Sequence, residues 1–202
     1  MRYVVGITGA SGVVIGARLV EELSSAHDCH VIVTDAAHGV MEQELGHWEF
    51  PGHVTVYGES DQTAPFNSSS HLPDAMVIAP CSLKSLASVA LGLCHNLLAR
   101  TAINVIRCNR PLVVAPRETP LPTAALEHML ALRREGVVIL PPMVAYYHHP
   151  RTVEDITDFF VGKILDQLGL EHELYHRWEY RPHSSGLDRR TSAGGSTADH
   201  HS

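Results

Sequence analysis

The sequence predicts one α/β domain: a parallel sheet with helices packed on both faces. Three observations carry that prediction. Short apolar runs recur along the chain, and each is followed by a stretch of helical periodicity. The runs AMVIA, LVVA and VVIL are apolar at every position, as strands covered on both faces must be. The first run ends in a glycine-rich turn that opens straight into a helical pattern.

Taken in order, Tyr3–Thr8 is a strand and 12–24 the helix that follows it. His30–Thr34 is the second strand, with a helix over 36–45. Residues 46–73 are less regular, with a short strand at His53–Tyr57. Ala75–Ala79 is the next buried run, followed by helices over 82–91 and 96–108. Leu112–Ala115 precedes a helix over 123–135, and Val137–Leu140 precedes a long amphipathic helix over 152–168. The chain shows no internal repeat.

With 202 residues, 45% hydrophobic and 18% charged, the chain can bury one sizeable core. That body is assigned to residues 1–180. Residues 181–202 have almost no large apolar side chains and are rich in Ser, Gly, Thr and Arg, so a disordered tail is expected there. A net charge of −7 disfavours a general nucleic-acid binder. No apolar run reaches the roughly 18 residues of a membrane helix. Met1–Val5 lacks the charged start and long apolar stretch of a secretory signal, and the cysteines at 29, 81, 94 and 108 form no CxxC pair. A cytoplasmic protein with reduced thiols is therefore expected. His148–His149 and His172/His176 (the latter on an expected helix) have no third ligand, so no metal site is expected. Cys81 has no sequence-near base to make it a nucleophile.

The turn after the first strand reads Gly6-Ile7-Thr8-Gly9-Ala10-Ser11-Gly12. Small residues let a ligand approach the backbone, and the amides that open the helix can face an anion or a polar ring edge. A short-chain dehydrogenase would place glycines at 13 and 15, where this chain has Val13 and Ile15, and would carry a Tyr-x-x-x-Lys pair, which is absent. Asp35 imitates the acidic ribose ligand of a dinucleotide fold in spacing alone.

Three further loops follow strand ends, where open α/β sheets bind ligands. They are Ala79–Ser85, Arg110–Pro120 and Leu140–Pro150. Together with the first turn they define one edge of the sheet. In order and spacing, GITGASG, APCSLKSLA, NLLARTA, RPLVVAPRETPL and ILPPMVAYYHHP with VEDITDFFVGKILDQLGL resemble the flavin prenyltransferases of the UbiX type, from Val4 to about Trp178. The resemblance implies a flavodoxin-like, Rossmann-like homo-oligomer, a dodecamer in that family, that binds FMN between subunits. It implies transfer of a dimethylallyl group from dimethylallyl phosphate to reduced FMN. The prenylated FMN then serves a partner UbiD-type decarboxylase, and no metal takes part.

On that resemblance, Gly9, Ala10 and Ser11 lie against the flavin, with Ser11 near the reacting ring atoms. Thr34 stands where the family usually has Ser and also contacts FMN. Ser82, Leu83, Lys84 and Ser85 hold another part of FMN through hydroxyls and helix amides, and Arg117 lies on it. Glu118 is the acid/base residue near the departing phosphate, and Glu44 an acidic residue of the same site. Arg100, Arg107, Tyr147 and Lys163 form the phosphate pocket. These assignments suit the chemistry. Breaking an allylic C–O bond leaves a cation-like fragment that an aromatic face steadies, and a phosphate that needs cations and hydrogen bonds. A proton must also move, which suits a carboxyl group. The His172–Trp178 segment is expected to cover a neighbouring subunit's site.

The chain departs from the family pattern in places. Arg107 stands for the usual Lys and Lys163 for the usual Arg, which keeps the charge but not the geometry. Gln62 replaces a Trp of some relatives, and Ile15 a frequent Tyr. Two other readings remain compatible with the flavin-binding fold. One is an FMN-dependent cysteine-type decarboxylase, which would need a P-x-M-N-x-x-M segment that is absent. The other is a non-catalytic subunit that binds FMN and delivers it to a decarboxylase.

Overall fold

The structure, a computed structural model, describes residues 1–61 and 63–178. Gln62 and the tail expected at 181–202 lie outside the described residues. Six strands form one sheet: β1 (Arg2–Ile7), β2 (Asp28–Val33), β3 (Thr55–Gly58), β4 (Ala75–Cys81), β5 (Leu112–Pro116) and β6 (Val138–Ile139). Their order is β3-β2-β1-β4-β5-β6, with every pairing parallel. This is the doubly wound Rossmann order; without the short edge strand β3 it reads as the flavodoxin order. Either way the strand order reverses between β1 and β4, and the crevice for a ligand opens there.

The helices are α1 (Val13–Ser24), α2 (Asp35–Leu45), α3 (Leu83–Ala90), α4 (Leu97–Arg107), α5 (Thr123–Arg134) and α6 (Val153–Leu168). Strand residues alternate between two cores. Tyr3, Val5 and Ile7 of β1 pack with Leu19 and Leu23 of α1 and Phe160 and Ile164 of α6. Val4, Met76 and Ile78 pack on the other face with Leu86 of α3, Leu98 of α4 and Leu132 of α5. This is why the runs are apolar at successive positions. Gly6 permits the close approach of α4: a Cβ there would lie 2.8 Å from Leu98. None of the described helices is long and apolar enough to cross a membrane.

The expected elements recur with shifts of a residue or two at their ends, and β6 is the shortest. One expectation fails. His172 and His176 do not share a helix, because α6 stops at Gly169, whose φ of 71° is left-handed. The Leu170 amide then closes back on the Leu165 carbonyl at 3.0 Å, a glycine-dependent helix stop. At its other end α6 starts on a capping box between Thr152 and Asp155.

Candidate active site

The loops after β1, β4 and β5 are joined to one another before any ligand is considered. Thr8 is fully buried, and its hydroxyl donates to the Pro80 carbonyl at 2.8 Å. The same oxygen accepts from the Ser82 amide at 2.7 Å. The Arg117 amide donates to the Cys81 carbonyl at 3.1 Å, and its Nε donates to the Ser11 carbonyl at 3.1 Å. Gly9–Ser11, Ser82–Ser85 and Arg117–Glu118 are thereby brought to one edge of the sheet. Gly9 fits because it has no side chain: a Cβ would lie 2.5 Å from that of Ala36. Ser11 and Glu118 are exposed, and the Glu118 carboxylate accepts only from the Thr119 amide at 3.0 Å among the described residues. Cys81 behind this edge is buried and its thiol is pushed up to about 12, which removes it as a nucleophile.

Two local features mark the edge as a binding surface. Thr34 stands at the N-cap of α2, where a hydroxyl usually accepts from a helix amide, yet it makes no such bond. Its hydroxyl is buried with no partner among the described residues, a costly state that a ligand's polar atom would relieve. The Leu83 and Lys84 amides, in the first turn of α3, likewise have no hydrogen-bond partner among the described residues. The Ser82 and Ser85 hydroxyls are engaged with each other. They bond to each other at 3.1 Å, and Ser82 Oγ caps the helix by accepting from the Ser85 amide at 3.3 Å. Glu44 is engaged too: its carboxylate accepts from the Gly12 amide at 2.8 Å and the Val13 amide at 3.1 Å. The start of α1 is thus filled by the chain's own anion, which suits the helix dipole and displaces a dinucleotide pyrophosphate.

The four residues expected to form a phosphate pocket do not meet within one chain. Arg100 is exposed and donates from Nε to the Asn67 carbonyl at 3.1 Å. Arg107, also exposed, lies about 10 Å further along α4, seven residues on. Tyr147 and Lys163 belong to the opposite face. Tyr147 meets the Phe159 ring edge-on at 6.0 Å, and Lys163 Nζ is 6.0 Å from the centre of the same ring. Lys163 also lines a cleft of about 370 Å³ beside β6, with Ile139, Pro141 and Phe160. Because α4 and α6 cover opposite faces of the sheet, the pairs Arg100/Arg107 and Tyr147/Lys163 stay apart.

Several residues of this second face went unread in the sequence. The segment after α6 lies along its own helix. His172 and Tyr175 sit against Gly162, where a Cβ would come within 2.6 Å and 2.7 Å of their rings. Trp178 meets Tyr147 edge-on at 5.6 Å while remaining 74% exposed. Asp166 ties the segment down, accepting from the Tyr175 hydroxyl at 2.7 Å and from Arg177 at 2.7 Å. Burial opposes its charge, but bonds from Arg177 and Tyr175, the Arg177 charge and His172 outweigh it and hold the carboxyl down at about 2. A depressed acid adds stability above its unfolded value and loses it as pH falls through the folded one. Docking of this segment should therefore persist at pH 4 and be lost as pH falls toward about 2. Trp178 fluorescence in a Trp48→Phe background would follow it; an unchanged signal down to pH 2 would count against Asp166 as the anchor. Among the described residues no group of three His, Cys, Asp or Glu side chains could hold a metal.

Comparisons with known proteins identify a family. The model of the Flavoprotein family matches residues 1–165. The flavin prenyltransferase UbiX of Halalkalibacterium halodurans is 43% identical over 194 residues, spanning 87% of this chain and 92% of that protein. That of Methanothermobacter thermautotrophicus is 42% identical, spanning 87% and 94%. A dodecameric FMN-dependent UbiX-like decarboxylase from Escherichia coli O157:H7 superposes with a TM-score of 0.83 at 38% identity, over 89% of this chain and all (100%) of its own. AnUbiX in complex with FMN and dimethylallyl pyrophosphate gives 0.84 at 33% identity, over 89% and 98%. A PPC decarboxylase shares only the fold, with a TM-score of 0.58 at 24% identity over 70% and 82%. The motifs along the sheet edge and these full-length relatives lead to one conclusion: the chain belongs to the UbiX flavin prenyltransferase family.

Proposed function

We propose that this chain transfers a dimethylallyl group from a dimethylallyl phosphate to reduced FMN, in a site that neighbouring chains complete. The observation that carries the reading is the edge at β1, β4 and β5. It is pre-assembled, with Gly9 packed closely on Ala36 of α2, and the orphaned Thr34 hydroxyl lies beside it at the end of β2, where the Thr34 amide donates to the Ile7 carbonyl at 3.0 Å. Bound FMN supplies the nucleophile and the aromatic face. Gly9, Ala10 and Ser11 flank it, the Leu83 and Lys84 amides offer donors to its polar end, and Arg117 lies on it while holding the Ser11 carbonyl. Glu118 handles the proton next to the leaving phosphate. Arg100, Arg107, Tyr147 and Lys163 bind that phosphate, each pair reaching into a site from a different chain.

The surface supports assembly. Leu126 and Leu130 lie one turn apart on α5 and are each 51% exposed, and Leu91 and Leu93, just after α3, are exposed as well. A second copy of the chain would cover such a patch. A dodecamer, a cytoplasmic setting and delivery of the product to a UbiD-type decarboxylase belong to the same reading.

The test is anaerobic incubation with FMN, dithionite and dimethylallyl phosphate, followed by mass spectrometry of the flavin. A gain of one C5H8 unit, strongly reduced in Glu118→Gln, is expected. FMN bound but unchanged with both the phosphate and the diphosphate would leave a flavin carrier instead. Thr34→Val should have opposite effects on the two states. Removing an orphaned buried hydroxyl should leave the apo protein as stable or slightly more so, while FMN binding weakens about five- to tenfold. Equal FMN affinity by fluorescence titration would remove Thr34 from the site.

A further inference from the structure

Lys163 is held by its own chain. Its Nζ donates to the Tyr175 hydroxyl at 3.2 Å and lies 3.6 Å from Asp166 Oδ2. The Tyr175 hydroxyl gives its own proton to Asp166 at 2.7 Å, so its lone pairs are turned to the ammonium. The Tyr175 ring also lies beneath the ammonium, 5.5 Å away. Asp166 is in turn fixed by a buried histidine. The Leu174 amide donates to His172 Nδ1 at 3.2 Å, so the proton sits on Nε2, which donates to Asp166 at 3.2 Å. The His172 side chain is only 3% exposed.

We propose that Asp166 and Tyr175 are positioning residues for the donor's phosphate, holding the Lys163 ammonium in one place beside Tyr147. This rests on the prenyltransferase reading above. The physical need follows from lysine's shape. An arginine brings a planar fork that orients itself on a phosphate, whereas a lysine is a point charge on a flexible stem. Left alone, it would lose that freedom when the donor binds. Tyr175 and Asp166 remove the freedom beforehand and occupy one face of the ammonium, leaving its remaining N–H groups to meet an anion. Tyr147 and Lys163 both pack on the Phe159 ring, so the phenol and the ammonium share one wall.

The full-length protein and Tyr175→Phe, which keeps the ring and its seat on Gly162, would be compared in FMN-loaded form. Donor KM should rise about tenfold with kcat nearly unchanged, and FMN affinity should not move. Calorimetric titration with inorganic pyrophosphate gives a second readout. Tyr175→Phe should weaken binding in the native background and have no further effect in a Lys163→Ala background. A KM within twofold of native, or additive losses in that cycle, would overturn the inference while prenyl transfer by the native protein leaves the function standing. A native protein that makes no prenylated flavin but shows the non-additive cycle would overturn the function and keep Tyr175 and Lys163 as a coupled anion site. Gly162→Ala, which pushes the strap off α6 without touching Lys163, should raise donor KM in the same way; a native KM in that variant would also count against the inference.

Discussion

Chains carrying Glu118→Gln and chains carrying Lys163→Ala should regain prenyl transfer when assembled together, although neither variant works alone. On the proposed function, each substitution removes a group from the reaction's charge balance. Losing a carboxyl that moves the proton, or a cation aimed at the leaving phosphate, is worth about 10²- to 10³-fold in rate. Glu118 lies at the end of β5, on the loop tied to Cys81. Lys163 lies on α6 beside the outer edge strand β6. If one active site takes these two residues from different chains, a mixed oligomer contains some sites with both residues native. Random assembly from equal amounts would give roughly a quarter of the sites that status. The measurement is flavin prenylation after the two variants are dissociated and reassembled together, with each reassembled alone as control. Activity no higher than the mean of the controls would mean that each site draws both residues from one chain.

Gly16→Val should be the most damaging single substitution for the fold. Gly16 is in the first turns of α1, facing the sheet. A Cβ there would collide with the Ala79 carbonyl oxygen and lie 2.9 Å from Ile7 Cγ1. Backbone atoms of the central strand β4 cannot swing aside as a side-chain tip can. The helix must lift, and the β1 turn that feeds it must follow. A loss of about 3 kcal/mol is expected from overpacking of this kind. For a chain of this length that lowers the melting temperature by roughly 6–12 °C. FMN binding should fall with it, because Gly9–Ser11 leads directly into the displaced helix. Calorimetry showing an unchanged melting temperature would mean that α1 is far softer against β4 than its packing shows. Gly39, inside α2 with open space around it, is the control: Gly39→Ala should cost nothing and add up to about 1 kcal/mol.

The strands were legible because burial on both faces leaves no room for polar residues in AMVIA or LVVA. The turn residues were legible because glycine and serine at a strand end have a local cause. The parts that stayed hidden depend on contacts across long sequence separations. Glu44 reaches the start of α1 from 32 residues away in sequence, so its pairing with Gly12 is invisible in any local window. Thr8 reads as one more small residue of a glycine-rich turn until β4 is laid beside β1. The Ser82 cap was readable from the serine three residues before Ser85, but the same hydroxyls had been given to the ligand. The distribution of Arg100, Arg107, Tyr147 and Lys163 over two faces needed the strand order. The helix expected through His172 and His176 failed because the glycine at 169 stops α6 three residues earlier.

Thr8 has a consequence for how the edge behaves when empty. Its one hydroxyl serves as both donor and acceptor, and both roles are filled by the backbone of the neighbouring loop. The spacing between the two halves of the crevice is therefore set during folding. At that joint a flavin meets walls already in place, with the β1 and β4 loops tied together beforehand. Such a pocket takes up and gives back its occupant without reshaping itself.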